Sequence, residues 1–182
     1  MLKQRLQSDL QAMQTLVTEG IDFARSAHAH TEPAVATDLR ALLESIVFDY
    51  ADSGHRVRLT GEVDTPPLLT QPQALRRVIT NIIDNALKFA GEAEIFVSRC
   101  DANHLAVVVR DHGPGIPEGE LASVLRPFYR TETSRNRVTG GTGLGLAIAN
   151  QLAGVLKGRL VLANKETGGL EVSLLVPTSR IG

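Results

Sequence analysis

One stretch, residues 71–90, most narrows the structures that this chain can adopt. Its polar positions share one face of a helix because they are spaced by four, four and three residues: Arg77, Asn81, Asn85 and Lys88. Apolar side chains fill most of the other positions, as in a helix packed on a core. Asn is a poor helix former and costly to bury without partners, so two of them one turn apart indicate a bound ligand. A solvated polar face explains the same residues without a ligand.

Two glycine-rich segments follow this helix. The run from Gly140 to Gly145 leads directly into an apolar helical pattern, and backbone N–H groups at such a helix start favour an anion. It lacks the Gly-Lys-Ser/Thr ending of a Walker A loop, and the residues before it are too polar for the buried strand of a dinucleotide-binding turn. We expect a positive φ at Gly141, although a simple flexible turn accounts for the same glycines.

The other glycine segment, residues 111–115, ends a predicted strand. A carboxylate at a strand end, here Asp111, can accept a hydrogen bond from an exocyclic amine such as that of adenine. An Asx turn that closes the strand is the alternative interpretation. His112 is expected to be exposed, because no second His or Cys stands at metal-binding spacing.

Composition excludes several classes of function. The 182 residues are 43% hydrophobic with a net charge of −1, which suits one domain with a small appendage. The sequence has no basic stripe, so its charge gives no reason to expect nucleic-acid binding. The single Cys100 excludes a disulfide framework and fits a reducing compartment. No apolar run approaches the ~20 residues that cross a bilayer, so we expect a soluble piece without direct membrane contact.

The chain divides into three predicted parts. Residues 1–28 are predicted to form one helix with an apolar stripe. This stripe needs a partner helix, either in a second copy of the chain or in an element outside the chain, unless the helix folds back on the main domain. Residues 29–37 form a linker, and residues 38–182 form the main domain. There the patterns predict helices at 38–53, 71–90 and 142–156, a helical piece at 118–125, and strands at 56–62, 93–99, 104–111, 158–164 and 169–176. Short links between neighbouring strands predict a mixed, mainly antiparallel sheet.

Four segments of the main domain, in this order and spacing, resemble the catalytic ATP-binding domain of bacterial sensor histidine kinases. Residues 81–89 are similar to that family's N box, 111–115 to its first glycine box, 127–130 to its F box and 141–145 to its second glycine box. The resemblance spans about residues 38–177. It implies an α+β Bergerat-type fold, a two-layer α/β sandwich in which three helices cover the sheet, preceded by the long N-terminal helix.

The resemblance also implies ATP and Mg²⁺ as cofactors. Asn85 would be the Mg²⁺ ligand and Asn81 would lie beside the phosphates. Asp111 would accept the adenine amine. The remaining implied contacts are Lys88 and Arg130 to phosphate, Phe89 near adenine, Gly113, Gly115 and Ile116 around the adenine pocket, Phe128 in the F box, and Gly141, Thr142, Gly143, Leu144 and Gly145, whose backbone would hold the triphosphate. Residues 117–139 would form a mobile lid.

The N-terminal helix resembles the second helix of the family's dimerisation and phosphotransfer hairpin. None of the chain's histidines stands in the acceptor context of that family: His28, His30, His55, His104 and His112. We therefore expect the chain to bind ATP without phosphorylating itself. The implied partners are a second copy in the full-length protein and the receiver domain of a response regulator. The implied location is the cytoplasm, with an inner-membrane anchor in a longer parent left open.

Rival functions share the implied fold. Related ATP hydrolases and anti-sigma-type serine kinases usually carry Glu where this chain has Asn81. An amide cannot act as a general base, so Asn81 argues against efficient hydrolysis. A nucleotide-binding interaction module, or an anti-sigma-type serine kinase, stays open as the alternative.

Overall fold

The computed structural model describes residues 2–26, 31–131 and 141–178. The helices in these ranges are α1 (Leu2–Ser26), α2 (Leu39–Asp52), α3 (Pro72–Ala90) and α4 (Gly145–Val155). The strands are β1 (Val35–Thr37), β2 (Arg56–Leu59), β3 (Leu68–Thr70), β4 (Glu92–Arg99), β5 (His104–Arg110), β6 (Arg159–Asn164) and β7 (Leu170–Pro177). His28, His30, part of the predicted linker and residues 132–139 of the predicted lid lie outside the described residues.

The main sheet runs in the order β2-β4-β5-β7-β6. Its pairings are antiparallel except for β2 with β4, which are parallel. This confirms the predicted mixed, mainly antiparallel sheet. The sequence patterns missed β1 and β3, which pair with each other, because three residues each are too few to establish an alternating pattern.

The core lies between one face of the sheet and helices α2, α3 and α4. Along β7 every second side chain is buried, which places Leu170, Val172, Leu174 and Val176 on the covered face. They belong to the same apolar cluster as Ile79 and Ile83 of α3, both fully buried. Truncating either isoleucine to Ala is expected to cost about 2–5 kcal/mol. The polar side of α3 is left to face away from this cluster.

Local chemistry sets the ends of the helices around the site. The side chain of Asp38 caps α2 by accepting from the Ala41 N–H. Gly91 adopts a left-handed conformation and ends α3 just after Phe89 and Ala90. The predicted helix at 142–156 begins only at Gly145, because Gly143 has a φ of 76° and cannot belong to a right-handed helix. The predicted helical piece at 118–125 is two short 3₁₀ turns, Glu118–Glu120 and Ser123–Leu125.

Helix α1 has two different parts. Its apolar stripe is exposed over most of its length, including Leu6, Leu10, Met13 and Val17. Its last turn docks on the main domain, where the buried Ser26 hydroxyl donates to the Gln151 side chain at 2.6 Å. Folding back therefore applies to the end of the helix only. No helix in the described residues combines the length and hydropathy needed to span a bilayer.

Candidate functional site

A cavity of about 830 Å³ opens along the polar side of α3. Its other walls are the loop after β5, the segment that precedes α4, and the turn between β6 and β7. This volume is in the range of small-molecule and cofactor sites. The helix that the sequence singled out therefore lines a concave site of this size.

Most of the predicted site residues meet at this cavity. Those that line it are Asn81, Asn85, Lys88, Phe89, Asp111, Gly115, Ile116, Arg130, Gly141, Thr142, Gly143 and Gly145. They come from separate parts of the chain, and the fold brings them around one space. This is the behaviour expected of a binding site and not of a solvated helix face.

Three predicted residues do not line the cavity. Leu144 is fully buried in the core, and its N–H donates to the Thr142 hydroxyl at 3.3 Å. Gly113 donates its N–H to Asp111 Oδ1. Phe128 is exposed with a φ of 63°, and its N–H donates to the Gly143 carbonyl at 3.1 Å. Each of the three forms a backbone hydrogen bond with a lining residue, and the ATP contact implied for Phe128 stays a prediction.

Asp111 is the buried carboxylate at one end of the cavity. Its Oδ1 accepts from the Gly113 N–H at 2.8 Å and from the Leu170 N–H at 3.1 Å. Its Oδ2 accepts from no residue in the described part of the chain. A buried carboxylate held on one oxygen and open on the other suits a ligand that carries an N–H donor.

The α3 face supplies amide groups to the middle of the cavity. The Asn81 amide donates to the Arg77 carbonyl at 2.7 Å, which fixes its oxygen near Gly145. The Asn85 side chain forms no hydrogen bond with the residues that the structure describes. The described residues hold no cluster of three metal-ligating His, Cys, Asp or Glu side chains. The free amide oxygen of Asn85 fits Mg²⁺, which takes one or two protein oxygens and completes its shell with water and substrate phosphate.

Lys88 brings a positive charge to this face of the cavity. Burial lowers the pKa of its ammonium, the charge of Arg130 lowers it further, and the carboxylate of Glu19 acts in the opposite direction. Its Nζ lies 5.3 Å from the centre of the Phe89 ring. An anionic ligand beside Lys88 would favour the charged form of its ammonium.

Close backbone approaches explain two of the glycines. A Cβ on Gly143 would stand 2.6 Å from the Tyr129 carbonyl oxygen. A Cβ on Gly169 would stand 2.1 Å from the Asp111 carbonyl oxygen. Gly141 does not have the expected positive φ; a Cβ there would meet only the flexible end of the Lys88 side chain. The left-handed position in this loop is Gly143.

Sequence reasoning missed Asn164, which anchors the start of the predicted lid. Its side chain accepts from the Ile116 N–H at 2.9 Å and donates to the Ile116 carbonyl at 2.6 Å and to the Glu118 carboxylate at 2.9 Å. A Cβ on Gly115 would collide with it. An Asn at the end of a strand is common in turns, so only the tertiary pairing over 48 residues reveals this role.

Two further sets of residues were also missed. Glu19 and Asp22 of α1 line the cavity, although only the apolar stripe of that helix was interpreted. Asp84, next to Asn85, accepts a 2.5 Å hydrogen bond from the Tyr50 hydroxyl. Burial, then the hydrogen bond and charge of Asp84, raise the pKa of the Tyr50 phenol well above its usual range. The charge pattern of α1 was the available signal for the first set.

Residues 70–180 match the family model described as histidine kinase-, DNA gyrase B-, and HSP90-like ATPase. The sensor histidine kinase GtrS of Pseudomonas aeruginosa is 34% identical over 177 residues, covering 97% of this chain and 36% of GtrS. The chain therefore spans little more than a third of that relative.

Solved structures share the fold. Full-length ShkA in complex with AMPPNP aligns with a TM-score of 0.77 at 23% identity, over 93% of this chain and 37% of ShkA. The ATP-binding domain of PrrB from Mycobacterium tuberculosis aligns with a TM-score of 0.63 at 27% identity, over 81% of this chain and 98% of that domain. The two-layer α/β fold expected from the sequence is confirmed.

Proposed function

The chain belongs to the family of histidine kinase-, DNA gyrase B- and HSP90-like ATPases, and from this premise we propose that it binds Mg-ATP and positions the γ-phosphate for transfer to a histidine. The histidine would belong to a phosphotransfer helix, and the phosphoryl group would pass on to an aspartate of a response regulator. The named relative GtrS is a sensor histidine kinase, which supports this choice within the family.

The observation that carries the proposal is the arrangement of unlike groups along one cavity. Asp111, with one open carboxylate oxygen, lies at one end, while Asn85, Lys88 and the 141–145 loop line the phosphate side. Helix α3 extends about 18 Å from Phe89 to Arg77, at 1.5 Å per residue, so the cavity can follow an extended nucleotide. An amine-recognising end and a cationic, glycine-rich end are what ATP requires.

The chemistry of α3 favours phosphotransfer over hydrolysis. Asn81 is an amide and cannot remove a proton from an attacking water. A neutral imidazole needs no such base because it is already a nucleophile. Mg²⁺ would neutralise charge on the phosphates, and Asn85 would hold it.

Calorimetric titration of ATP into the chain, with and without Mg²⁺, tests the proposal. We expect Asn85→Ala to weaken binding about tenfold or more with Mg²⁺ present and to have little effect without it. Asn103→Ala, an exposed asparagine outside the cavity, is the matched control and should bind as the parent chain does. Equal ATP affinity of the parent chain and of Asn85→Ala in Mg²⁺ would contradict the assignment of Asn85 as the Mg²⁺ ligand.

Transfer itself needs the acceptor helix. A longer chain that adds the His-bearing helix is expected to dimerise and to take up label from γ-labelled ATP in acid-labile form. The exposed stripe of α1, which includes Leu10 and Val17, supports a helical partner of this kind. We place the reaction in the cytoplasm. Acid-labile label on residues 1–182 alone would contradict the expected need for an added acceptor.

A further inference from the structure

The last turns of α1 bring negative charge into the cavity. Glu19 and Asp22 line it together with Arg77, Lys88 and Thr142. A triphosphate site with carboxylates in its wall is unexpected, because the ligand itself is anionic. What these carboxylates contact therefore decides what they do.

Each carboxylate engages a group that phosphate would otherwise use. The Thr142 hydroxyl, in the loop before α4, donates to Glu19 Oε2. The Arg77 guanidinium lies 3.6 Å from Asp22 Oδ1 and donates to the Asp22 carbonyl at 3.4 Å. Glu19 also acts to raise the pKa of Lys88, so its charge reaches that ammonium. The two side chains therefore bring negative charge next to the cations and the hydroxyl group that line this part of the cavity.

The position of the two carboxylates along the cavity decides which part of a bound nucleotide they would meet. Phe89 and Asp111 lie at the end assigned to adenine, and Arg77 lies three turns earlier on α3, about 18 Å away. Asp22 pairs with Arg77 and so lies at the end farthest from adenine, while Glu19 contacts Thr142 in the loop assigned to the triphosphate. A nucleotide would bring its terminal phosphate to that end.

Helix α1 is fastened there by contacts outside the cavity. Ser26 is fully buried and bonded to Gln151 of α4, and Phe23 packs against the core. The carboxylates are thus held on a docked helix and are not loose surface charges. Binding of a group that competes with them has to move the helix or leave the charges in repulsion.

We propose that Glu19 is a specificity-determining residue, and that Asp22 assists it. The two carboxylates distinguish nucleotides by the charge of the terminal phosphate. ATP reaches the Thr142 loop only by displacing Glu19, whereas ADP leaves the Glu19–Thr142 contact in place. By thermodynamic linkage, binding of the γ-phosphate loosens the docked end of α1, and docking of α1 lowers the affinity for ATP more than the affinity for ADP. The inference rests on the proposed nucleotide site and deepens it.

The test compares ATP and ADP affinities, measured by calorimetry in Mg²⁺, for the parent chain and for Glu19→Gln. Gln keeps the size and an acceptor oxygen for Thr142 and removes only the charge. We expect ATP affinity to rise about fivefold to tenfold and ADP affinity to change by less than about twofold. Glu62→Gln removes an equal charge from an exposed loop outside the cavity and should change neither affinity. Asp22→Asn should act in the same direction as Glu19→Gln, with a smaller effect.

Hydrogen exchange supplies the second readout. With saturating Mg-ATP the amides of residues 18–26 should exchange faster than with Mg-ADP, because the γ-phosphate releases this end of α1. Equal ATP and ADP changes in Glu19→Gln, a loss of ATP affinity, or exchange that does not distinguish the two nucleotides would overturn the inference while the nucleotide site stands. Absence of ATP and ADP binding in every chain would remove the proposed function and the inference with it.

Discussion

The end of the cavity beside Asp111 is completed by the chain itself, whereas the end beside Asn85 is not. Asp111 is held by the N–H groups of Gly113 and Leu170, and the neighbouring Ile116 backbone is held by Asn164. Across the cavity, the Asn85 amide has no hydrogen bond in the described residues, and burial disfavours the Lys88 charge. Glu19 and Asp22 of α1 and Asp84 of α3 bring negative charge to this part of the cavity.

In the proposed function, the Asp111 end recognises the part of the ligand that does not change, and the Asn85 end holds the reacting group. A rigid, internally bonded pocket suits the part of a ligand that never changes, because no ordering cost is incurred on binding. In the proposed function the phosphate end accepts and releases a charged group, and the open Asn85 amide and the disfavoured Lys88 charge suit that role. The glycines at 141 and 143 and the docked α1 belong to this second end. The expected effects of substitution should differ accordingly.

Asp111→Asn should have the largest effect, since it breaks the completed end. The Asn oxygen can still accept from the Gly113 and Leu170 N–H groups, but its NH2 group then stands where the open Oδ2 would meet the N–H donor of the ligand, so we expect ATP affinity to fall about 100-fold with a stability change below about 1 kcal/mol. Calorimetry and thermal melts measure the two effects. Retained ATP affinity in a folded Asp111→Asn chain would show that adenine does not lie at this end.

Gly143→Ala should disrupt the phosphate end through the backbone. Its φ of 76° and the 2.6 Å approach of a Cβ to the Tyr129 carbonyl force the loop to shift, so we expect about 30-fold weaker ATP binding and a stability loss of about 1–2 kcal/mol. Gly154→Ala, where a Cβ meets nothing within 4 Å inside α4, is the control and should stabilise by about 0.5–1 kcal/mol. If both substitutions behave alike, the geometry of the loop does not matter for binding.

Lys88→Met should separate stability from binding. Removing the half-buried charge is expected to stabilise the nucleotide-free chain by about 0.5–1 kcal/mol and to weaken ATP about tenfold. Because the folded-state pKa of Lys88 is lowered, the destabilising effect of its charge is fully present below that pKa and disappears as pH rises toward 10.5. The stability gain should therefore shrink at high pH in melts of the two chains. A Lys88→Met chain that is less stable at neutral pH would contradict this.

Asn164→Asp should have the smallest effect. It keeps the acceptor for the Ile116 N–H but loses the donor to the Ile116 carbonyl and places a second carboxylate beside Glu118. We expect about threefold weaker ATP binding with little change in the dependence on Mg²⁺. Asn103→Asp, in the exposed hairpin turn, controls for the added charge. A change in Mg²⁺ dependence in Asn164→Asp would mean that the two ends are coupled.

Local patterns in the sequence predicted the α3 face and Asp111 because their information is local. The spacing of Asn81, Asn85 and Lys88 defines a helix face whatever packs on it. Asp111 follows a run of apolar strand residues, so its place at a strand end could be read directly. The antiparallel sheet followed from short links for the same reason. These features required no knowledge of distant contacts.

Features that depend on tertiary placement could not be predicted in this way. Glu19 is 123 residues from Thr142 in the chain, and only the docking of α1 on α4 brings them together. Asn164 joins Ile116 across 48 residues. The left-handed glycine lies at 143 and not at 141, because the backbone of Tyr129 approaches there. Glycine runs show that positive φ is permitted but not where it falls.

The most direct test of the account is backbone and side-chain amide NMR of the chain titrated first with adenosine and then with Mg-ATP. We predict that adenosine shifts the Gly113 and Leu170 amides alone, and that Mg-ATP adds shifts of the Asn85 side-chain amide and of residues 141–145. Adenosine shifts at Asn85 and the 141–145 loop, or Mg-ATP shifts absent from both ends, would contradict the assignment of adenine and phosphate to the two ends of this cavity.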